Sequence, residues 1–306
     1  MVPGSYGETF VRISGPADDA PMVLLPGLNS PSLFWQPNVQ ALSAQHRTYA
    51  VERPGEIGCS VCTRPISSLA EIVGWLNDTI GALEPARPID LVGLSYGGWL
   101  AARYALAFPN RLRKLVLLAP GGLMPTNWQF IVRALPILTG RRAAFRWFVE
   151  WLLLDVGRND PARVELSLER AIMSYRSMRP RRLIGPVRLT DADLAGLRTP
   201  TLFLVGEHEK LYSARKAIER LKRVAPQIQT EVLPGAGHDL TCRKPARSTA
   251  KFSIFWRNAT LGACHSENAC GAHWASPSLR FTPISRSIWM RWRAMWTAWR
   301  RIPSVH

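Results

Sequence analysis

Ser95 stands in Gly93-Leu94-Ser95-Tyr96-Gly97-Gly98, between the buried-strand pattern Ile89–Leu94 and the helix-like stretch Trp99–Phe108. In that setting a G-x-S-x-G sequence fits a nucleophile elbow, a sharp strand-to-helix turn that lifts a hydroxyl off the edge of a sheet. Gly93 and Gly97 are the positions where a side chain would collide with neighbouring backbone. Ordinary Gly-Ser turns share the bare pattern; the strand before, the helix after and the extra Gly98 favour the elbow. A serine hydroxyl is a weak nucleophile near neutrality and needs a base close by. Among six histidines, His238 lies in Gly235-Ala236-Gly237-His238-Asp239, directly after the strand-like Gln229–Leu233, where small residues let an imidazole approach. His208 is the second candidate and His46 reads as a surface residue ending a helix. His265, His273 and His306 fall in a tail of different composition.

A third group must orient the imidazole and stabilise its charged form. The strand-like Pro200–Val205 runs into Gly206-Glu207-His208-Glu209, which supplies two acids. Glu209 is preferred to Glu207, and the order serine, acid, histidine suits an elbow of this type. Either acid would otherwise be a solvated loop carboxylate. The developing oxyanion needs preorganised backbone donors. Tyr96, just after the serine, is one source. Leu28, in Pro26-Gly27-Leu28-Asn29, is the other.

These residues need a scaffold, and the chain alternates the right patterns. Thr9–Ser14, Met22–Leu25, Arg47–Val51, Ile89–Leu94 and Lys114–Leu118 read as strands. Between them, Phe34–Leu42, a stretch from Ser68 to Leu83 and Trp99–Phe108 read as helices. The alternation resumes with Pro200–Val205, helix Ala214–Val224 and Gln229–Leu233. This predicts an α/β fold with a mainly parallel, doubly wound sheet. Residues 123–190 interrupt it with helical patterns alone, rich in Trp, Phe, Leu and Arg. They are read as a helical cap over the carboxyl edge of the sheet, where α/β folds bind ligands. Trp128, Phe130 and Trp147, with Phe145, Phe148 and Trp151, are candidates to line an apolar substrate pocket or to form the cap's own core. The expected organisation is a core of residues 1–122 and 191–242, a cap of 123–190, and an atypical tail of 243–306.

Composition narrows the classes. The 306 residues, 47% hydrophobic, can bury a full core. No leader pattern and no long apolar run is evident, so a soluble cytoplasmic protein is expected. Five cysteines exclude complete internal pairing, and Cys59 and Cys62 read as ordinary thiols. The net charge of +17 is local rather than general. Residues 123–190 carry twelve Arg against five acids, and residues 243–306 carry eleven Lys or Arg against Glu267 alone. That distribution argues against a nucleic-acid partner.

With LLPG, GLSYGGW, VLLAPGG, VGEHE and LPGAGH, residues 6–242 resemble the α/β-hydrolase superfamily and, within it, small bacterial carboxylesterases. The resemblance implies a Ser95–Glu209–His238 triad, an acyl-enzyme, no cofactor, no metal and a small-molecule ester as substrate. Small to medium apolar esters are the expected class. Carbon–carbon bond hydrolysis and lactone opening use the same triad, and a non-catalytic lipid- or protein-binding relic is the reading from another class. Two positions depart from the family: Pro26-Gly27 stands where His-Gly is usual, and Glu52 where Asp is frequent.

The tail of 243–306 holds six of the twelve Trp and does not supply the closing helix such a fold expects. Trp289, Trp292, Trp296 and Trp299 recur at helical spacing among arginines, the pattern of a membrane-surface helix. Cys264, His265, Cys270 and His273 fit no defined zinc spacing. A third reading is a shifted reading frame near Thr241–Lys244. Dropping two bases from the Lys244 codon permits an acid-containing amphipathic helix, and in that frame the Phe255–Trp256 junction encodes Leu whichever Phe codon is used.

Overall fold

The computed structural model describes residues 1–84, 86–153, 161–177, 184–240 and 255, all within the compact unit Met1–Leu261. The expectations placed on the tail, Phe255 aside, lie outside the described residues. A seven-stranded sheet runs β10-β9-β8-β7-β4-β5-β3, from β3 (Val11–Ser14), β4 (Pro21–Leu25), β5 (Arg47–Val51), β7 (Ile89–Leu94), β8 (Leu112–Leu118), β9 (Thr201–Gly206) and β10 (Gln229–Leu233). All pairs are parallel except β3 with β5. The central strands are apolar on both faces because helices cover both, the reason they read as continuous hydrophobic runs. This is the α/β-hydrolase fold.

Two apolar layers sandwich the sheet. One gathers Val23, Leu91, Leu115 and Phe203 with helix α2 (Leu69–Leu83) and helix α3 (Tyr96–Ala107). Ser68 caps α2 by accepting the Glu71 N–H, and Ile72, Val73, Leu76 and Ile80 form its buried stripe. Gly97, Gly98, Ala101, Ala102 and Ala105 keep α3 narrow where it lies on β7 and β8. The other layer joins Met22, Leu24, Trp35, Val92, Val116 and Leu204 to Leu240 and Phe255. Phe255 is thus a buried member of the core, and its carbonyl accepts from Lys114 Nζ at 3.5 Å.

Three local expectations are corrected. Thr9–Ser14 is not one strand: β2 (Gly7–Thr9) leaves the main sheet to join β1 (Val2–Gly4) and β6 (Val61–Cys62) in an antiparallel ribbon. Phe10 is the break, its N–H donating to Ser60 Oγ instead of a strand partner. The helix expected from Phe34 is a 3-10 turn, Ser32–Trp35, followed by α1 (Gln36–Ser43) with Pro37 in the first turn. His46 is not a surface residue but is buried, 3.6 Å from Asp90, which also pairs with Arg113. Burial lowers its pKa, and Asp90 opposes that shift.

Between β8 and β9 the described elements are helical: α4 (Trp128–Ala134), a 3-10 turn (Leu135–Thr139), α5 (Arg142–Leu152), α6 (Pro161–Ser177) and the short α7 (Asp191–Ala195). Phe145, Val149, Leu153, Val164, Leu168 and Ile172 form a separate small core there. The two stems of this segment meet. Leu189 N–H donates to the Gly122 carbonyl at 2.8 Å, and buried Arg220, on helix α8 (Ala214–Val224), donates to the carbonyls of Leu123 and Leu189 and to Asp191. Among the described residues no helix is long and apolar enough to cross a membrane.

Candidate active site

Ser95 sits between β7 and α3 with φ 52° and ψ −112°, a backbone conformation that costs a non-glycine residue about 1–3 kcal/mol. The surroundings hold it there. Its N–H donates to Leu118 O at 2.8 Å, and its carbonyl accepts from Trp99 N–H (3.0 Å) and Gly121 N–H (2.9 Å). Both elbow glycines are sterically required. A Cβ on Gly93 would lie 2.3 Å from Gly97 O, and one on Gly97 would lie 2.3 Å from Leu25 O. Tyr96 opens the helix, so its amide is among the first-turn donors that have no intrahelical acceptor. The Tyr96 hydroxyl donates to Ile184 O at 2.9 Å.

The loops after β9 and β10 bring an acid and an imidazole together. Both Glu209 carboxylate oxygens lie 2.9 Å from His238 Nδ1. Glu209 Oε1 also accepts from Leu211 N–H at 2.7 Å. The Glu209 side chain is 0% exposed and that of His238 14%, so the pair is formed away from bulk water. Glu207 does something else: it accepts the Gly235 N–H at 2.8 Å and pins the turn before the histidine loop. His208 meets that loop through its backbone, donating to Ala236 O at 2.8 Å. Gly206 permits the approach, since a Cβ there would lie 2.3 Å from Gly237 O. Burial raises the Tyr212 pKa well above its usual value, with Glu209 adding to the effect, so this neighbour of the carboxylate stays protonated.

The loop after β4 passes beside the serine; a Cβ on Gly27 would be 3.7 Å from Ser95 Cβ. Leu28 is partly exposed, and Asn29 takes a left-handed φ of 54°. In place of the His-Gly expected of the family, a largely buried ion pair supports this loop. Glu56 accepts the Asn29 N–H at 3.2 Å and pairs with Arg53, whose guanidinium lies 4.1 Å from the centre of the Tyr96 ring. Burial lowers the Arg53 pKa to about 10, which leaves it charged near neutrality. Neither residue announces itself in the sequence. Their only signal was an Arg and a Glu three apart after a strand, a spacing too common to single out.

Glu52, noted for its identity, is buried and ties separate loops by accepting the Ser32 N–H (2.9 Å) and the Cys59 N–H (2.6 Å). Among the described residues, neither Cys59 nor Cys62 is in a disulfide. Glu56→Leu leaves a largely buried guanidinium without its carboxylate and is expected to cost about 3 kcal/mol of stability, whereas Arg53→Leu/Glu56→Leu recovers part of it, the Asn29 N–H still lacking its acceptor. Urea unfolding of the two variants beside the parent measures both quantities.

The aromatic candidates of the helical segment fall in different places. Phe130 packs edge-on to Phe148 (5.2 Å) and lies 6.3 Å from Trp151. Trp147 is exposed, with Arg133 stacked 4.5 Å from its ring centre, and Trp128 is 68% exposed. This cluster is joined to the acid's loop. Asn127 N–H donates to Leu211 O at 2.7 Å, and Lys210 lies 5.9 Å from the Trp151 ring centre.

A family model described as the alpha/beta hydrolase family matches residues 22–250. Carboxylesterase YbfK of Bacillus subtilis is 31% identical over 247 residues, covering 78% of this chain and 81% of its own. An uncharacterized carboxylesterase, nap, of the same organism is 30% identical over 261 residues, covering 84% and 85%. The crystal structure of naproxen esterase from Bacillus subtilis superposes with a TM-score of 0.76 at 29% identity, covering 83% of this chain and 90% of that one.

Proposed function

The chain belongs to the α/β-hydrolase family, and from that premise we propose that it is a carboxylesterase that cleaves small to medium apolar esters through an acyl-enzyme. One observation carries the reading: a buried Glu209 held against His238 Nδ1, on loops at the same end of the sheet as the strained Ser95 turn. Its carboxylesterase relatives, similar along most of both chains, support the substrate class.

In the proposed cycle His238 takes the Ser95 proton as Oγ adds to the ester carbonyl. Glu209, hydrogen-bonded to Nδ1–H, fixes the tautomer that leaves Nε2 free to act as base and stabilises the imidazolium. The Leu28 and Tyr96 amides receive the oxyanion, where preorganised donors gain most from exclusion of water. The tetrahedral intermediate collapses, the alkoxide leaves with the proton from His238, and the acyl group stays on Ser95. Water then repeats the sequence: His238 takes its proton, hydroxide adds, and Ser95 leaves reprotonated with the carboxylic acid released. Every proton and electron pair is balanced by side chains, ester and water, so the cycle calls for neither cofactor nor metal. Arg53 and Glu56 act as positioning residues, steadying Asn29 beside one oxyanion donor and Tyr96 at the other. The helical segment 123–190 is proposed to cap the site, with the cluster around Phe130 and Trp151 nearest the acid's loop.

The test combines turnover with covalent trapping. A p-nitrophenyl ester series is expected to give hydrolysis with a burst of nitrophenolate. A fluorophosphonate should block turnover at one adduct per chain, found on the Ser95 peptide by mass spectrometry. An adduct on another residue removes the nucleophile assignment. Silence toward every ester, with turnover of a vinylogous diketone, replaces ester hydrolysis by carbon–carbon cleavage on the same residues.

A further inference from the structure

Helices of soluble proteins turn their apolar face inward; α4 and the 3-10 turn after it do so through Phe130 and Ile137, but they carry a second apolar face outward. Trp128, Ile131, Val132, Leu135 and Leu138 recur at i, i+3, i+4, i+7 and i+10, the spacing of one helical face. All five are exposed, Leu138 to 72%, and no residue of either element is buried. Isolated surface leucines need no explanation, but a contiguous run marks an interaction site.

Charge identifies the occupant. Between Asp90 and Glu150 the chain has no carboxylate at all, while Arg133, Arg141, Arg142 and Arg146 fall in or just beyond the stripe. Arg142 and Arg146 are paired with Glu165, Glu169 and Glu150. Arg133 and Arg141 have no carboxylate partner among the described residues; Arg133 lies over the Trp147 and Trp151 rings, and Arg141 is exposed. A second copy of this chain fits poorly, because a two-fold interface would set this positive face against itself. An anionic lipid surface fits both properties: the apolar side chains enter the headgroup boundary and the guanidinium groups meet phosphate.

We propose that the exposed face of residues 128–141 docks the protein on anionic lipid surfaces. The inference stands on this surface alone and is independent of the catalytic reading. It has a functional consequence, since α4 begins at the hydrogen bond from Asn127 to Leu211, two residues from Glu209. Docking would place the helical segment, and the loop it contacts, at the boundary where apolar esters dissolve.

The experiment is flotation of the full chain with vesicles of phosphatidylcholine alone or mixed with phosphatidylglycerol. Binding is expected to the mixed vesicles, to weaken in high salt, and to fall about tenfold on phosphatidylcholine alone. Ile131→Ser/Leu138→Ser should lower it about tenfold, and Arg141→Gln should lower it while reducing the salt dependence. Leu135→Ser replaces the double variant if the latter's melting temperature drops. No binding to the mixed vesicles overturns the proposal. So does undiminished binding of the serine variants, which puts the lipid contact elsewhere, the Trp-rich tail included. A dimer that dissociates in the serine variants, without vesicle binding, assigns the face to a second copy instead.

Discussion

Ser95→Ala is expected to lower kcat on p-nitrophenyl esters by about a millionfold, leaving a residue of catalysis from the oxyanion donors and from binding alone. So large an effect is expected because the serine is not one contributor among several. In the proposed cycle its Oγ forms the bond that divides the reaction into two easier steps, and without it water must attack an unactivated ester. KM should change little, since alanine removes a single atom and leaves the walls of the site in place. The variant should fold as the parent does, because the strained turn is held by backbone bonds to Leu118, Trp99 and Gly121 that alanine can also make. Retention of even a hundredth of the activity, with a melting temperature unchanged, would move the nucleophile elsewhere.

Glu209→Gln is expected to lower kcat by about ten-thousandfold, with the fold preserved. The amide is nearly the same size, so the Leu211 N–H can still find an oxygen. What changes is the hydrogen His238 must carry. The carboxylate demands a proton on Nδ1 and so leaves Nε2 as base, whereas an amide can offer its own N–H to Nδ1 and stabilise the unproductive tautomer. The same change at Glu207 separates chemistry from architecture. Its partner is the Gly235 amide, which a glutamine oxygen also accepts, so Glu207→Gln should keep kcat within a few fold. Stopped-flow measurement of acylation in the two variants makes the comparison; equal losses would show that the loop, not a particular carboxylate, governs the rate.

The contrast between these two glutamates also shows where sequence reasoning stops. The elbow was readable because strand, glycines and helix are contiguous, and each constrains the next over a few residues. The sheet was readable for the same reason, its buried strands being short apolar runs bounded by Gly and Pro. Glu207 and Glu209 share one turn, and spacing cannot say which way either side chain leaves it. That is decided by β9 lying beside β10 in parallel, with Gly206 close enough to the following loop for Glu207 to reach Gly235 and Glu209 to reach His238. Arg53 and Glu56 were invisible because their meaning depends on Asn29 and Tyr96, both distant in the chain. His46 was misread because polarity at a helix end suggests solvent, whereas here it is buried beside Asp90. Ser32 and Cys59 meet at Glu52 through loops with no periodicity to announce them.

The hydrogen bond between Gly122 and Leu189, with Arg220 reaching both strands of the stem, has a consequence for how such a protein diversifies. The helical insertion leaves and re-enters the scaffold at a single riveted point, so the sheet experiences it as a closed loop. Closure entropy grows only slowly with loop length once the ends are fixed. The insertion can therefore lengthen or shorten at its far end while strand registers stay as they are, as long as the stretch from Ile184 to Val187 that meets Tyr96 and Trp99 is kept. A chimera carrying a relative's insertion between Leu123 and Leu189 is expected to keep the sheet, provided the new segment also offers the carbonyl that Ile184 presents to Tyr96 and the amide that Asn127 presents to Leu211.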